Sequence, residues 1–184
     1  YKKGEIKSIC RLVNPGIGII TGINSQHLDL FGTIDKTVEA KFELIEGLNH
    51  RAIAIFNMNN PYVRNIYRRA KNQRKDLKLV GFSAGQTYTQ QQITPDYLSF
   101  TLNFGRKKIS CRTQLFGKQN LENIAGAAQA ANTAGMSADE IEKAVRQLKP
   151  LQHTMRLFYT REGKPVIDDT FNSNPDGVAA ALDY

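Results

Sequence analysis

The densest group of side chains able to do chemistry lies at residues 166–177, where Asp168-Asp169-Thr170-Phe171-Asn172-Ser173-Asn174-Pro175-Asp176-Gly177 follows the apolar Val166-Ile167. Two carboxylates close a strand pattern, and asparagines and a proline then open a helix. Carboxylates, amides and the first N–H groups of a helix together suit a metal ion or a phosphate. The same residue types are ordinary helix starters, so capping alone accounts for the pattern equally well. A second group, Asn24-Ser25-Gln26-His27-Leu28-Asp29, directly follows an apolar run. Ligands of open α/β sheets bind beyond the carboxyl ends of the strands. That puts His27 where a metal ligand or an acid/base group would work, with a solvated surface histidine as the alternative. His50 and His153 carry no comparable signal. Lys41, within Ala40-Lys41-Phe42-Glu43, stands mid-helix among apolar residues. By itself it reads as a lysine whose stem covers apolar surface.

Phosphate loops give a negative result. No G-x-x-x-x-G-K-[ST] occurs. In Gly16-Ile17-Gly18-Ile19-Ile20-Thr21-Gly22 the third glycine comes one place too late for a dinucleotide fingerprint, and the run lies in a strand pattern. These glycines read as structural, and a phosphate cradle, if one is used, lies outside these residues. Arg64, Arg68, Lys71 and Lys75 form a helical stripe, and Arg106, Lys107, Lys108 and Arg112 a second cluster. Such groups can neutralise nucleic-acid phosphates. No RNP aromatic pattern, zinc finger or helix-turn-helix accompanies them, so a solvated face or attraction of an anionic small substrate is the better reading.

Alternating elements must position these groups. Gly16–Ile23, Arg51–Phe56 and Leu77–Phe82 read as buried strands. Between them lie a helix from Thr33 or Asp35, burying Val38, Phe42 and Ile45, and a helix from Pro61 to about Gln73. Strands alternating with helices predict parallel β-α-β units. Residues 83–95 are polar and read as a loop or an edge excursion. Tyr97–Phe104 and Lys107–Leu115 alternate with period two around Gly105-Arg106, which predicts an antiparallel hairpin. Leu121–Ala134 reads as a helix stopped by Gly135, and Ser137-Ala138-Asp139-Glu140 as a capping box opening another. Beyond Pro150, where a domain boundary is expected, Met155–Tyr159 and Pro165–Asp168 read as strands around a Glu162-Gly163 turn. Pro175 opens a last helix.

The chain has 184 residues, of which 41% are hydrophobic and 23% charged. That balance argues against a disordered chain. Lys+Arg is 25 and Asp+Glu 17, a net charge of 25 − 17 = +8. The only cysteines, Cys10 and Cys111, are far apart, which argues for buried thiols in a reducing, cytoplasmic setting rather than a disulfide scaffold. No apolar run is long enough to span a membrane and no signal peptide opens the chain. The chain begins at Tyr1 and ends at Tyr184 inside an apolar helical pattern, so a piece of a longer protein is expected.

Four segments, in this order, resemble the Mur ligase family, and most closely its members that add D-alanyl-D-alanine to UDP-N-acetylmuramoyl tripeptide. They are IITGINSQHLDLFG at 19–32 with EAKFEL at 39–44, AIFNMNNPYV at 54–63, NLENIAGAAQAANTAG at 120–135, and MRLFYTREGKPVIDDTFNSNPDG at 155–177. The resemblance implies an α/β fold. Residues 1–150 would be the second part of the central ATP-binding domain, a mostly parallel sheet with flanking helices and an antiparallel hairpin, and 151–184 the start of the C-terminal domain. The P-loop and the N-terminal domain are expected to lie outside the chain.

By the same resemblance His27 is a magnesium ligand. Lys41 is the lysine carbamylated in the family, an anionic group also suited to Mg²⁺. Asn120 and Asn123 belong to the adenine-contacting H-N-x-x-N motif, whose histidine is Gln119 here. Asn24 and Arg156 lie near the nucleotide, and Asp169 near the γ-phosphate. Asn57-Met58-Asn59-Asn60 stands where the family carries N-x-D-D. The implied reaction is ATP-dependent amide formation through an acyl phosphate, with Mg²⁺ as cofactor and the tripeptide and D-alanyl-D-alanine as partners. Another Mur-type or folylpolyglutamate-type ligase, or a degenerate nucleotide-binding partner, is the alternative. The isolated chain is therefore expected to release no phosphate from ATP in the presence of both peptide substrates. Substantial ligation by these 184 residues alone would contradict that.

Overall fold

The computed structural model describes residues 3–24, 32–94, 97–115, 117–154, 156–171, 178–179 and 182. They fall into two compact units, Tyr1–Ser83 and Ala84–Tyr184. The expected loop around His27 and the run 172–177 lie outside the described residues.

The first unit is a parallel sheet in the order β1 (Ile17–Ile20), β2 (Ile53–Asn57), β3 (Lys78–Phe82). Ile17 pairs with Ile53 and Ile53 with Lys78, so the strands keep a common register. The crossovers are α2 (Ile34–Gly47) and α3 (Pro61–Gln73), as the alternation predicts. Thr33 caps α2 by accepting from Lys36 N–H. Ile20, Ala54 and Phe56 pack with Phe42, Ile45, Leu48, Val63, Ile66 and Ala70 in one buried cluster. Gly18 allows the approach, since a Cβ there would meet Leu48 Cδ2 at 3.1 Å and Leu44 Cγ at 3.3 Å. The strands are shorter than the apolar runs. β2 starts at Ile53 because Arg51 adopts a left-handed turn conformation (φ 62°), and β1 stops at Ile20 while the apolar run continues to Ile23.

Helix α1 (Glu5–Val13) has no counterpart in the sequence reading, and its cap explains why. Gly4, at its N-cap, offers no side chain. The carboxylate of Glu43 on α2 does the work, accepting from Gly4 N–H at 2.6 Å and Lys7 N–H at 3.2 Å across 39 and 36 residues. An anion at a helix N-terminus satisfies orphan donors and opposes the helix dipole favourably, which is how a 6% exposed glutamate is tolerated. Gly47 at the end of α2 makes room for α1: an added Cβ would stand 2.5 Å from Cys10 Cβ. Arg74, just past α3, grips the C-terminal end of α2. Its guanidinium donates to the carbonyls of Ile45, Glu46 (3.2 Å) and Leu48 (2.9 Å) while Asp76 accepts from it at 2.9 and 3.0 Å.

The second unit holds an antiparallel sheet, β4 (Tyr88–Ile93), β5 (Leu98–Phe104), β6 (Lys107–Thr113), in that order. The β5–β6 turn is the expected Gly105-Arg106, with Phe104 opposite Lys107. β4 corrects part of the polar stretch 83–95. It is an edge strand bulged between Thr89 and Gln92, and past Tyr88 its side chains are half-buried or exposed, so it has no apolar alternation to read. Helix α4 (Lys118–Thr133) packs on β5 and α5 (Ala138–Gln147) on β6, and the Ser137/Glu140 capping box is present. Leu98, Phe100, Leu102, Ile109 and Cys111 are buried on that face. A hairpin follows, β7 (Arg156–Tyr159) and β8 (Pro165–Asp168), with Arg156 opposite Asp168. Cys10 and Cys111 are both free and buried.

The Arg74–Asp76 pair generates a pH prediction. Hydrogen bonds from Arg74 hold the Asp76 carboxyl down at about 2. A depressed carboxylate contributes its stability above the unfolded value near 4, and that contribution is lost as pH falls toward 2. Asp76→Asn is expected to flatten the fall in stability between about pH 4 and 2, read by urea unfolding at each pH. An unchanged acid limb would refute it.

Candidate functional site

The carboxyl edge of the parallel sheet is where Asn24, one candidate residue of the first unit, is positioned. β1 ends at Ile20 and the chain continues through Thr21–Asn24. The next strand ends in Asn57, which is 3% exposed. Its Nδ2 donates to the Thr21 carbonyl at 2.8 Å, and its Oδ1 accepts from Asn59 N–H at 3.0 Å. Asn60 caps α3, accepting from Tyr62 and Val63 N–H at 3.1 Å each, and its Nδ2 donates to the Ile23 carbonyl at 2.8 Å. Met58 N–H donates to the Phe82 carbonyl, which fastens the turn to β3. Arg64 closes the turn from α3 by donating to the Met58 and Asn59 carbonyls at 2.8 and 3.1 Å. Asn24 is half-buried and directly follows this pinned segment; His27, three residues on, lies outside the described residues.

Lys41 is half-buried, about two turns into α2. Among the described residues its ammonium makes no hydrogen bond or ion pair. Half-burial fits the reading of a stem lying along apolar surface. A half-buried amine with no ion pair among the described residues can be modified or meet a ligand.

The other candidates belong to the second unit. α4 opens after Gly117 with no side-chain cap. Asn120 is half-buried in its first turn and Asn123 exposed one turn on. The Asn123 amide makes no hydrogen bond among the described residues and both donates and accepts, as a base edge requires. Gln119 folds over Gly117, and its buried Oε1 has no partner there among the described residues. Arg156 is exposed, and its guanidinium has no ion pair among the described residues, so it can meet a phosphate. It sits opposite Asp168 on the hairpin, which brings it to the end where Asp169 lies half-buried.

Asp168 carries the network that the sequence left between two carboxylates. Thr170 Oγ1 donates to its Oδ1 at 2.8 Å, Thr170 N–H to the same atom at 3.3 Å, and His153 Nδ1 lies 2.8 Å from Oδ2. The Thr170 hydroxyl first, then His153, hold its pKa below the ordinary carboxylate value. His153 takes a left-handed backbone (φ 61°), and its carbonyl accepts from Phe171 N–H at 2.8 Å. The segment around Asp169 is thus held on both sides. The amides of Asn57 and Asn60 and the imidazole of His153 are what sequence reasoning missed. An asparagine before Pro61 signals a cap, but nothing local signals a bond to residues more than 30 positions away.

Much of the basic stripe is internal structure. Arg64 closes the turn described above, and Arg68 donates to Asn65 at 3.2 Å. Arg69, beside them, stacks on Phe42 at 3.7 Å and pairs with Glu39. Lys107 pairs with Asp139, and Arg112 stacks on Tyr97 at 3.7 Å. Among the described residues no helix is long and apolar enough to cross a membrane, and no three His, Cys, Asp or Glu side chains cluster as a metal site.

Residues 1–131 match the model of the Mur ligase middle domain. The UDP-N-acetylmuramoyl-tripeptide--D-alanyl-D-alanine ligase of Bacillus subtilis (strain 168) is 26% identical over 180 residues, 98% of this chain and 38% of that protein. The protein of the same name from Escherichia coli K12 is 26% identical over 182 residues, 98% of this chain and 40% of that one. A crystal structure of MurF from Acinetobacter baumannii superposes with a TM-score of 0.85 at 25% identity, covering 98% of this chain and 39% of that one. The chain spans about two fifths of the length of the curated relatives it matches.

The Asp168 network generates a prediction. Thr170→Val removes the hydroxyl that lowers Asp168 most, so the carboxyl is expected to titrate closer to its ordinary value. The carboxyl-carbon NMR titration of Asp168 reads this directly. Since a depressed carboxylate stabilises above its unfolded pKa and loses that as pH falls through the folded one, the variant is also expected to be less acid-sensitive. An unmoved titration would show the hydroxyl to be irrelevant.

Proposed function

From the premise that this chain belongs to the Mur ligase family through its middle domain, we propose that it is part of an ATP-dependent ligase that adds D-alanyl-D-alanine to UDP-N-acetylmuramoyl tripeptide in peptidoglycan precursor synthesis. One observation carries the choice within the family. The run Asp168-Asp169-Thr170-Phe171-Asn172-Ser173-Asn174-Pro175 resembles that of ligases of this name, and relatives of that name match over 98% of the chain. Residues 1–150 would then complete the ATP-binding domain and 151–184 begin the C-terminal domain. The whole protein would work in the cytoplasm, where its nucleotide substrates are.

In this reading the acceptor peptide's carboxylate attacks the γ-phosphorus of ATP, releasing ADP and leaving an acyl phosphate. The amine of D-alanyl-D-alanine then displaces phosphate from that acyl group, with loss of a proton, to leave an amide. Negative charge grows at the transferring group in both steps and must be met by fixed cations and donors. Arg156, exposed and unpaired among the described residues, suits a phosphate. The exposed Asn123 amide, with Asn120 beside it in sequence, suits the adenine edge. Asp169 is held by the bonded residues on either side of it.

Magnesium would supply charge neutralisation and orientation of phosphate oxygens. The half-buried Lys41 fits such an ion once its amine is carbamylated, because the product is an anionic oxygen donor of the kind Mg²⁺ prefers. His27 would complete that pair of ligands, and Asn24 would lie on the nucleotide side.

The test is phosphate release by the full-length parent protein with UDP-N-acetylmuramoyl tripeptide, D-alanyl-D-alanine and ATP. Release is expected to require both peptide substrates. Lys41→Ala is expected to lower it roughly 100- to 1,000-fold, the scale for losing one fixed electrostatic group. Mass spectrometry of the native protein in bicarbonate reports the carbamate independently. No release with either lysine- or diaminopimelate-containing tripeptide would sink the substrate assignment.

A further inference from the structure

Asn57 is a buried polar side chain at the end of the central strand, and chemistry fixes which of its atoms meets each of two partners. A carbonyl can only accept and a backbone N–H can only donate. The bond to Thr21 O therefore needs the amide's NH₂ and the bond from Asn59 N–H needs its oxygen. No other residue of this size offers both at once: aspartate lacks the donor, leucine both. Asn60 makes the same kind of tie two residues further along β1's exit, to Ile23 O. Gly22 lies between the two tied carbonyls, 3.9 Å from the Asn60 amide as measured from where its Cβ would stand. The neighbouring groups are already engaged: Met58 N–H with Phe82 O, and Arg64 with the Met58 and Asn59 carbonyls. Thr21–Ile23 lies outside the β-ladder, so these side-chain ties stand in for strand pairing where the chain leaves the sheet.

We propose that Asn57, seconded by Asn60, is a positioning residue: its amide sets the path of the chain leaving β1, and so the placement of Asn24 for the nucleotide and its divalent cation. The inference rests on the ligase reading above for the identity of the ligand. Such outer supports of a metal or phosphate site commonly control affinity by one to two orders of magnitude without touching the ligand. The side chain touches neither substrate nor cation in this scheme, so its loss is expected to appear in binding of Mg·ATP before turnover.

The experiment uses the full-length parent protein and two variants. Asn57→Asp keeps the acceptor for Asn59 N–H and removes the donor to Thr21 O. Val63→Ala truncates a fully buried core side chain of α3 whose role is packing, and it serves as the control for lost stability. Thermal midpoints are measured first. Binding of Mn²⁺ with a non-hydrolysable ATP analogue is then followed by electron paramagnetic resonance, and KM for Mg·ATP is separated from kcat. Asn57→Asp is expected to weaken Mn·nucleotide binding about tenfold or more and to raise KM alongside it. Val63→Ala is expected to bind like the unaltered protein even where its midpoint falls as far. If Asn57→Asp does not fold, Asn57→Ser replaces it in the same comparison. Binding within about twofold of the unaltered protein in the folded asparagine variant, or an equal loss in Val63→Ala, overturns the proposal. An inactive unaltered protein that still binds Mn·nucleotide would overturn the ligase reading and leave the positioning role to be decided by the binding data.

Discussion

A strand buried on every side can carry polar groups only if each finds a partner, and in the first unit that strand is β2. Ala54, Ile55 and Phe56 are wholly inaccessible, and Asn57 closes the strand at 3% exposure. The penalty for an unpaired buried amide is as large as the gain from several well-made hydrogen bonds. The end of β2 therefore dictates its surroundings. Asn57 fixes the exit of β1, Met58 fixes the end of β3, and Asn60 sets where α3 starts. The helix then lays Val63, Ile66 and Ala70 onto the sheet because its first turn is held in place.

The C-terminal part of α2 obeys the same rule with charge added. Glu43 is almost fully buried and is tolerated because it faces the N-terminal N–H groups of α1. Arg74 meets the carbonyls of the last turn just beyond it. Cation at the C-terminus and anion at a neighbouring N-terminus are the arrangement that helix dipoles favour. In the second unit the burden falls on pattern instead. A sheet with one buried face pairs its polar groups within its own ladder and leaves the other face to water.

Legibility in the sequence follows the range of the interaction. The hairpin around Gly105, the Ser137/Glu140 capping box and the two crossover helices depend on residues within four or five positions of one another, and all are present. α1 was not readable because its cap is supplied from Glu43. β4 was not readable because a polar edge strand has no buried face to impose alternation. The candidate residues divide the same way. Asn123 and Arg156 occupy exposed positions that a resemblance can mark. The half-burial of Lys41 and the clamp of Asn57 arise from tertiary packing, which no local pattern encodes. The resemblance marks Asp169 of the two adjacent carboxylates, whereas the hydrogen bonds from Thr170 and His153 fall on Asp168 and arise from the fold.

The two thiols have a practical bearing on bioconjugation. Cys10 is raised by burial and by the nearby Glu43 carboxylate, and Cys111 is pushed up to about 12, chiefly by burial. Maleimides and iodoacetamides attack the thiolate, whose formation burial disfavours at both positions. A fluorophore or spin label attached through a single cysteine introduced on an exposed position of this chain would therefore report from that position alone, with the native sulfurs left in place as part of the packed interior.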